Sequence, residues 1–154
     1  MKILNKIIIM LVFFCSTMLY SQIPVIIGSI PSSGSTGTII VDVDDLKDAF
    51  NAEFNDGTII TSVSIELLGS EWFLLGSGSV PGGGHISTGV KLSVSSGNGT
   101  INSSGDNTTL RSCVSYDCPG GCNLSSSGCS SCSGSCVYSS ESLAVAGELG
   151  GFGY

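Results

Sequence analysis

The sequence is poor in the side chains that most protein chemistry uses. Its 154 residues include five Lys and Arg against twelve Asp and Glu, one histidine, one tryptophan and four prolines, and only 11% of positions are charged. So few cations exclude a nucleic-acid binder that works by neutralising phosphates. The single imidazole, His85, sits in a glycine-rich stretch with nothing to orient it, and no Gly-x-Ser-x-Gly elbow occurs, which argues against a serine hydrolase. Gly82-Gly83-Gly84 is followed by neither a lysine nor a helical pattern, so it reads as a turn rather than a phosphate cradle.

Serine and glycine are in excess. With 29 Ser and 22 Gly, a third of the chain is of these two types, near the level at which low-complexity disorder becomes the default. A hydrophobic content of 42% is too high for a wholly disordered chain. The length suits one domain.

Residues 1–21 read as an export signal. Lys2 and Lys6 form a basic start, residues 7–20 are almost wholly apolar, and Ser21-Gln22 offers a cleavage point. A largely apolar stretch of fourteen residues falls short of the ~20 that span a bilayer, and Phe14 before Cys15 does not suit a lipid-anchoring signal. Cleavage leaves three basic residues against twelve acidic ones, a balance near −9, and six cysteines. The chain is then expected to be secreted, periplasmic or at the cell surface, with no membrane span.

The mature sequence divides into a flexible Gly/Ser leader (22–38), an α+β core (39–112), a Cys-rich region (113–136) and a tail (137–154). Asp42, Asp44 and Asp45 are helix-capping residues, and a helix is expected from about Asp45 to before Asn55, with Leu46, Phe50 and Phe54 as its inward stripe. From Thr58 the period becomes two: Ile59, Val63, Ile65 and Leu67 share one strand face, and Ser62, Ser64 and Glu66 the other. A hairpin turn at Gly69-Ser70 sets Leu68 opposite Glu71, Leu67 opposite Trp72 and Ile65 opposite Leu74. A ten-residue glycine-rich loop follows Leu75. Ile86, Val90, Leu92 and Val94 then mark a third strand, and residues 108–114 a last one. The expected fold is a small antiparallel β-meander with one covering helix, followed by a disulfide-stapled, irregular Cys-rich region.

That region reads C-x4-C-x3-C-x6-C-x2-C-x3-C through Cys113, Cys118, Cys122, Cys129, Cys132 and Cys136, with no apolar period. In an exported chain an even count argues for disulfides, and six cysteines leave fifteen pairings open. The tail contains a short apolar run at 143–146 and either returns as an edge strand or stays free.

The run Glu71-Trp72-Phe73-Leu74-Leu75-Gly76-Ser77-Gly78, the ending Cys129-Ser130-Ser131-Cys132 and the signal end Tyr20-Ser21-Gln22 together resemble small secreted proteins of unknown function exported by some Gram-negative bacteria. The resemblance implies a bacterial, exported origin and carries no activity across.

Other apparent sites have simpler readings. Asp42, Asp44 and Glu53 imitate part of a calcium loop, but Leu46 and Lys47 occupy the fifth ligand position and the glycine turn. Glu66 and Glu71 lie on the polar side of the hairpin and read as solvated acids rather than a catalytic pair. A zinc site of the Cys-x-x-Cys type wants two such pairs or one with histidines, and only Cys129 and Cys132 have that spacing; a redox role would need a helix start beside the thiols. The sequons at Asn98, Asn102, Asn107 and Asn123 arise readily by chance in so Ser/Thr-rich a segment. Without catalytic equipment or a cofactor motif, the expectation is an exported, non-catalytic binding or surface-interaction module, its partner a protein or glycan. Val80, Pro81, Gly82, Gly83, Gly84 and His85 are its candidate interaction loop. The alternatives are a secreted peptidase inhibitor that inserts this loop or the Cys-rich region, and a metal-binding protein that uses the cysteine cluster.

Overall fold

A computed structural model of the chain describes residues 25–101, 109–130, 132 and 134–142. The expected signal at 1–21, the apolar run at 143–146, and Asn102 and Asn107 lie outside the described residues. No helix among the described residues is long and apolar enough to cross a membrane.

The acids before the helix cap it. The Asp42 carboxylate accepts the Asp44 N–H at 2.8 Å, satisfying a donor that the first turn leaves without a partner. The helix α1 therefore runs Val43–Phe54, two residues earlier than a start at Asp45, and Asn55 closes it in the left-handed conformation (φ 37°). Leu46 and Phe50 are buried and Ala49 and Phe54 half-buried on one stripe.

Five antiparallel strands form the main sheet in the order β11 (Val137–Ser142), β8 (Thr109–Ser115), β5 (Gly84–Lys91), β4 (Glu71–Val80), β3 (Ile59–Leu68). The β3–β4 hairpin has the expected register, Leu68 opposite Glu71 and Ile65 opposite Leu74. Further along β3 the pattern departs from strict alternation. A bulge between Ile60 and Ser62 turns Ile60 inward and leaves Ile59 exposed, the reverse of the period-two reading. Two contacts fix the bulge. The Ile60 N–H donates to Asn51 Oδ1 of α1 at 2.7 Å, and the Ile59 carbonyl lies where a Cβ on Gly78 would sit, 1.9 Å away.

The glycine-rich stretch after Leu75 is not a loop. Its small residues continue β4, only residues 81–83 turn, and β5 starts at Gly84. The third strand also divides. After Leu92 the chain leaves the main sheet and forms β6 (Ser93–Ser95) and β7 (Asn98–Ile101), joined by a turn with positive φ at Ser96 and Gly97. With β1 (Val25–Ser29) and β2 (Thr38–Ile39) these make a second sheet, order β2-β1-β7-β6.

The residues read as a flexible leader thus supply two strands. Gly28 and Gly37 press on Ile65, whose side-chain atoms stand 2.2 and 2.6 Å from where their Cβ atoms would be. Gly37 N–H and Leu67 N–H bond to Ile65 O and Ser35 O, both at 2.8 Å. Close approach, not mobility, is the use of glycine here.

One face of the main sheet meets α1 and the second sheet. Ile60, Ile65, Leu74, Val80, Ile86, Val90 and Leu110 pack against Leu46 and Phe50 of α1, Ile27 and Ile101 of the smaller sheet, and Leu92 where the chain passes from one sheet to the other. Phe50→Ala removes the largest helix side chain from this core and is expected to lower unfolding free energy by about 3–5 kcal/mol. Gly78→Ala should destabilise strongly by disrupting the bulge, whereas Gly120→Ala, with open space around it, should be near neutral. Urea unfolding followed by Trp72 fluorescence checks all three.

Candidate functional site

The opposite face of the main sheet is also apolar at its centre. Phe73 and Leu74 are adjacent and both are 0% exposed. Successive strand side chains point to opposite faces, so neither face can be left to solvent. The Arg111 guanidinium lies 5.4 Å from the centroid of the Phe73 ring. Across the rest of this face folds the Cys-rich segment.

Its order comes from three bridges, Cys113–Cys129, Cys118–Cys132 and Cys122–Cys136, with Cα separations of 5.6, 6.1 and 6.0 Å. In chain order the first cysteine pairs with the fourth, the second with the fifth and the third with the sixth. Cys113 lies on β8, so the first bridge fastens the segment to the sheet. The short hairpin β9 (Asn123–Ser125) and β10 (Gly128–Ser130) then rests on β5. Leu124 N–H donates to Ser87 Oγ at 3.3 Å, and a Leu124 methyl lies 2.9 Å from where a Gly89 Cβ would be. Arg111 reaches the hairpin tip, bonding Ser126 O at 3.0 Å. Cys113, Cys118, Cys122 and Leu124 are buried with Leu68 and Leu75 against them. The Cys-rich region is thus a cap on the sheet, not a separate nodule.

Between this cap and the β3–β4 hairpin runs a shallow groove of about 410 Å³. Its rim is hydroxyl, amide and carboxylate: Ser62, Ser64, Glu66, Ser77, Ser87 and Asn123. Its apolar lining is Leu68, Leu75 and Leu124. Ser62 Oγ and Ser77 Oγ are 2.6 Å apart across the hairpin, and Ser64 Oγ donates to Glu66 Oε1 at 2.8 Å. These groove serines carry no sequence signal, since serine is everywhere in the chain. Glu66 and Glu71 project on this face as the register requires, but in different roles. Glu71 forms an ion pair with Lys91, whose hydrogen bond holds its carboxyl below the usual carboxylate range. Glu66 lines the groove.

The candidate interaction loop is reduced by the fold. Val80 is buried at the end of β4, Gly84 is buried at the start of β5, and His85 is exposed opposite Ser79 and Ser115. Only Pro81, Gly82 and Gly83 turn, beneath the exposed Tyr116, whose ring carbons lie 2.8 Å from where a Gly84 Cβ would be. Among the described residues, the ligand atoms of Asp, Glu, His and Cys converge at one place, the sulfurs of Cys118, Cys122, Cys132 and Cys136. Asp42, Asp44 and Glu53 form no such group: Asp42 caps α1 and Asp44 pairs with Lys47 at 2.7 Å. Comparison with family models, curated proteins and solved structures finds no match for the chain.

Non-reducing peptide mapping should recover the three bridges named above, and any other pairing contradicts this cap. Replacing Cys113 and Cys129 together by Ser opens a loop with a sequence separation of 16 and should cost about 3 kcal/mol. The Glu71 carboxyl is held low in the folded state, so its contribution is complete above the ordinary value of 4.5 and is lost as pH falls through the depressed folded value. Glu71→Gln should accordingly flatten the fall in stability below about pH 4.5, measured by chemical denaturation across an acid pH series.

Proposed function

We propose that the protein is an exported, non-catalytic binding module, and that the groove between cap and hairpin takes a neutral, hydroxyl-rich ligand, a glycan. The observation that carries this reading is the groove lining itself. Serine hydroxyls donate and accept, the Asn123 amide does both, and Glu66 accepts, while Leu68, Leu75 and Leu124 offer an apolar surface for the C–H face of a sugar ring. A few polar groups placed around an apolar lining is the usual make-up of a small-ligand site.

Charge favours a neutral ligand over an anionic one. Among the described residues no Lys or Arg lines the groove, whereas Glu66 does, and the chain as a whole is acidic. Nor, among the described residues, does anything that would activate a serine line it. Ser62 bonds Ser77 and Ser64 bonds Glu66, and the described residues of the groove wall include no imidazole or amine. Export is supported by the signal-like start and by three bridges of the kind that persist in oxidising compartments.

Labelled protein on a glycan array, followed by calorimetry with the best hit, tests the reading. Loss of a charge-assisted hydrogen bond costs about 1.5–3 kcal/mol, so Glu66→Gln should weaken binding about 10- to 100-fold, and Leu124→Ala should also weaken it. Val94→Ser, on the exposed edge of the second sheet, should leave binding unchanged. An array with no signal above background, or binding indifferent to both groove variants, retires the proposal.

A further inference from the structure

Two of the three bridges meet. The Sγ atoms of Cys118, Cys122, Cys132 and Cys136 all lie within 4.8 Å of one another, while the third bridge, Cys113–Cys129, is not part of the group. The four come as two C-x3-C pairs, a spacing within the C-x2–4-C range of structural zinc sites. The first pair is built on a short glycine-containing turn, and the second has Gly134 between its cysteines. In the first, Gly121 has φ +74° and its N–H bonds Cys118 O at 2.9 Å, which sets Cys118 Sγ 3.8 Å from Cys122 Sγ. A zinc–sulfur distance of about 2.3 Å in a tetrahedron gives a sulfur–sulfur edge of about 3.8 Å, so this turn already holds two sulfurs at ligand spacing. In the second, Gly134 N–H donates to Cys132 Sγ at 3.2 Å. A hydrogen bond of this kind is the type of outer-shell contact that orients a metal ligand.

We propose that, with its two central bridges open, the cap is a four-thiolate site for one soft divalent cation of the zinc class. Opening each bridge takes two electrons and two protons from a thiol reductant, which is itself oxidised to a disulfide. The cation then displaces four thiol protons and forms four metal–sulfur bonds. Bridges and metal are alternative states of one sulfur cluster, and the Cys113–Cys129 pair belongs to neither exchange. This inference is independent of the groove and its ligand.

The test uses the full mature chain, reduced and kept anaerobic, titrated with Zn²⁺ and followed by native mass spectrometry, and with Co²⁺ for its thiolate charge-transfer and tetrahedral ligand-field absorption. One metal per chain with a tetrahedral cobalt spectrum is expected, and the double variant Cys113→Ser, Cys129→Ser should keep that stoichiometry and spectrum. Cys118→Ser and Cys136→Ser should each weaken binding by more than the ~10- to 100-fold that outer-shell partners carry. Circular dichroism and Trp72 fluorescence follow the fold in every sample. Absence of saturable binding overturns the proposal whether the reduced chain is folded or not, because an ordering cost that the metal cannot meet means there is no site. Loss of stoichiometry in the Cys113/Cys129 variant overturns it as well, since all six thiols would then be binding without selection.

Discussion

A sheet with large apolar side chains on both faces has to be covered twice, and the adjacent, fully buried Phe73 and Leu74 impose that requirement here. The first cover is conventional: α1 and a second sheet bring Leu46, Phe50, Ile27 and Ile101 against the Leu74 side. The second cover comes from a segment rich in Ser and Gly with Leu124 as its one buried aliphatic residue. Hydrophobic burial by such a segment cannot offset the entropy of ordering it. Three bridges restrict the unfolded chain instead, and their buried sulfurs serve as small apolar groups over Leu68 and Leu75. Cys113 ties the two parts together because it is both a strand residue of the sheet and the first half-cystine of the cap.

The same division separates what was legible in the sequence from what was not. The hairpin register followed from side-chain period and one turn, both local. The helix stripe at Leu46 and Phe50 was local too, and its start moved only because Asp42 took the cap. The bulge at Ile60 was not legible, since it depends on Asn51 reaching across from α1 and on Gly78 yielding space. Both are contacts between segments distant in sequence. The bridges were foreseen as bridges, but their pairing is a property of how the cap folds back on β8, which spacing does not encode.

Glycine and serine misled most where their local meaning and their tertiary use differ. A Gly/Ser-rich segment reads as mobile because those residues order weakly on their own. Gly28 and Gly37 are instead the residues that let one backbone lie against Ile65, and Gly76 and Gly78 extend β4 through what read as a loop. Serine has a parallel use in pairs. Thr88 Oγ1 meets Ser112 Oγ at 2.9 Å inside the core, and Ser62 meets Ser77 in the groove, so neighbouring strands satisfy each other's hydroxyls. Low complexity in composition is therefore compatible with a specified fold, provided the few large side chains fall where the register brings them together.

The groove and the sulfur cluster share a wall, and this links the two candidate sites physically. Asn123 and Leu124 line the groove and follow Cys122 directly in sequence. Leu124 is held by apolar neighbours, by the bond of its N–H to Ser87 Oγ and by its pairing with Cys129 of β10, and a two-stranded hairpin of three-residue strands is marginal by itself. Two tethers set the position of that wall: the Cys113–Cys129 bridge, whose second half lies on β10 opposite Leu124, and Cys122, held either to Cys136 by a bridge or to its three sulfur neighbours through a metal. Either link leaves Cys122 in place, because the sulfurs already lie within 4.8 Å of one another. A change in the chemical state of the cluster can then proceed without dismantling the groove, whereas loss of the Cys122 tether together with the Cys113–Cys129 bridge would release its wall.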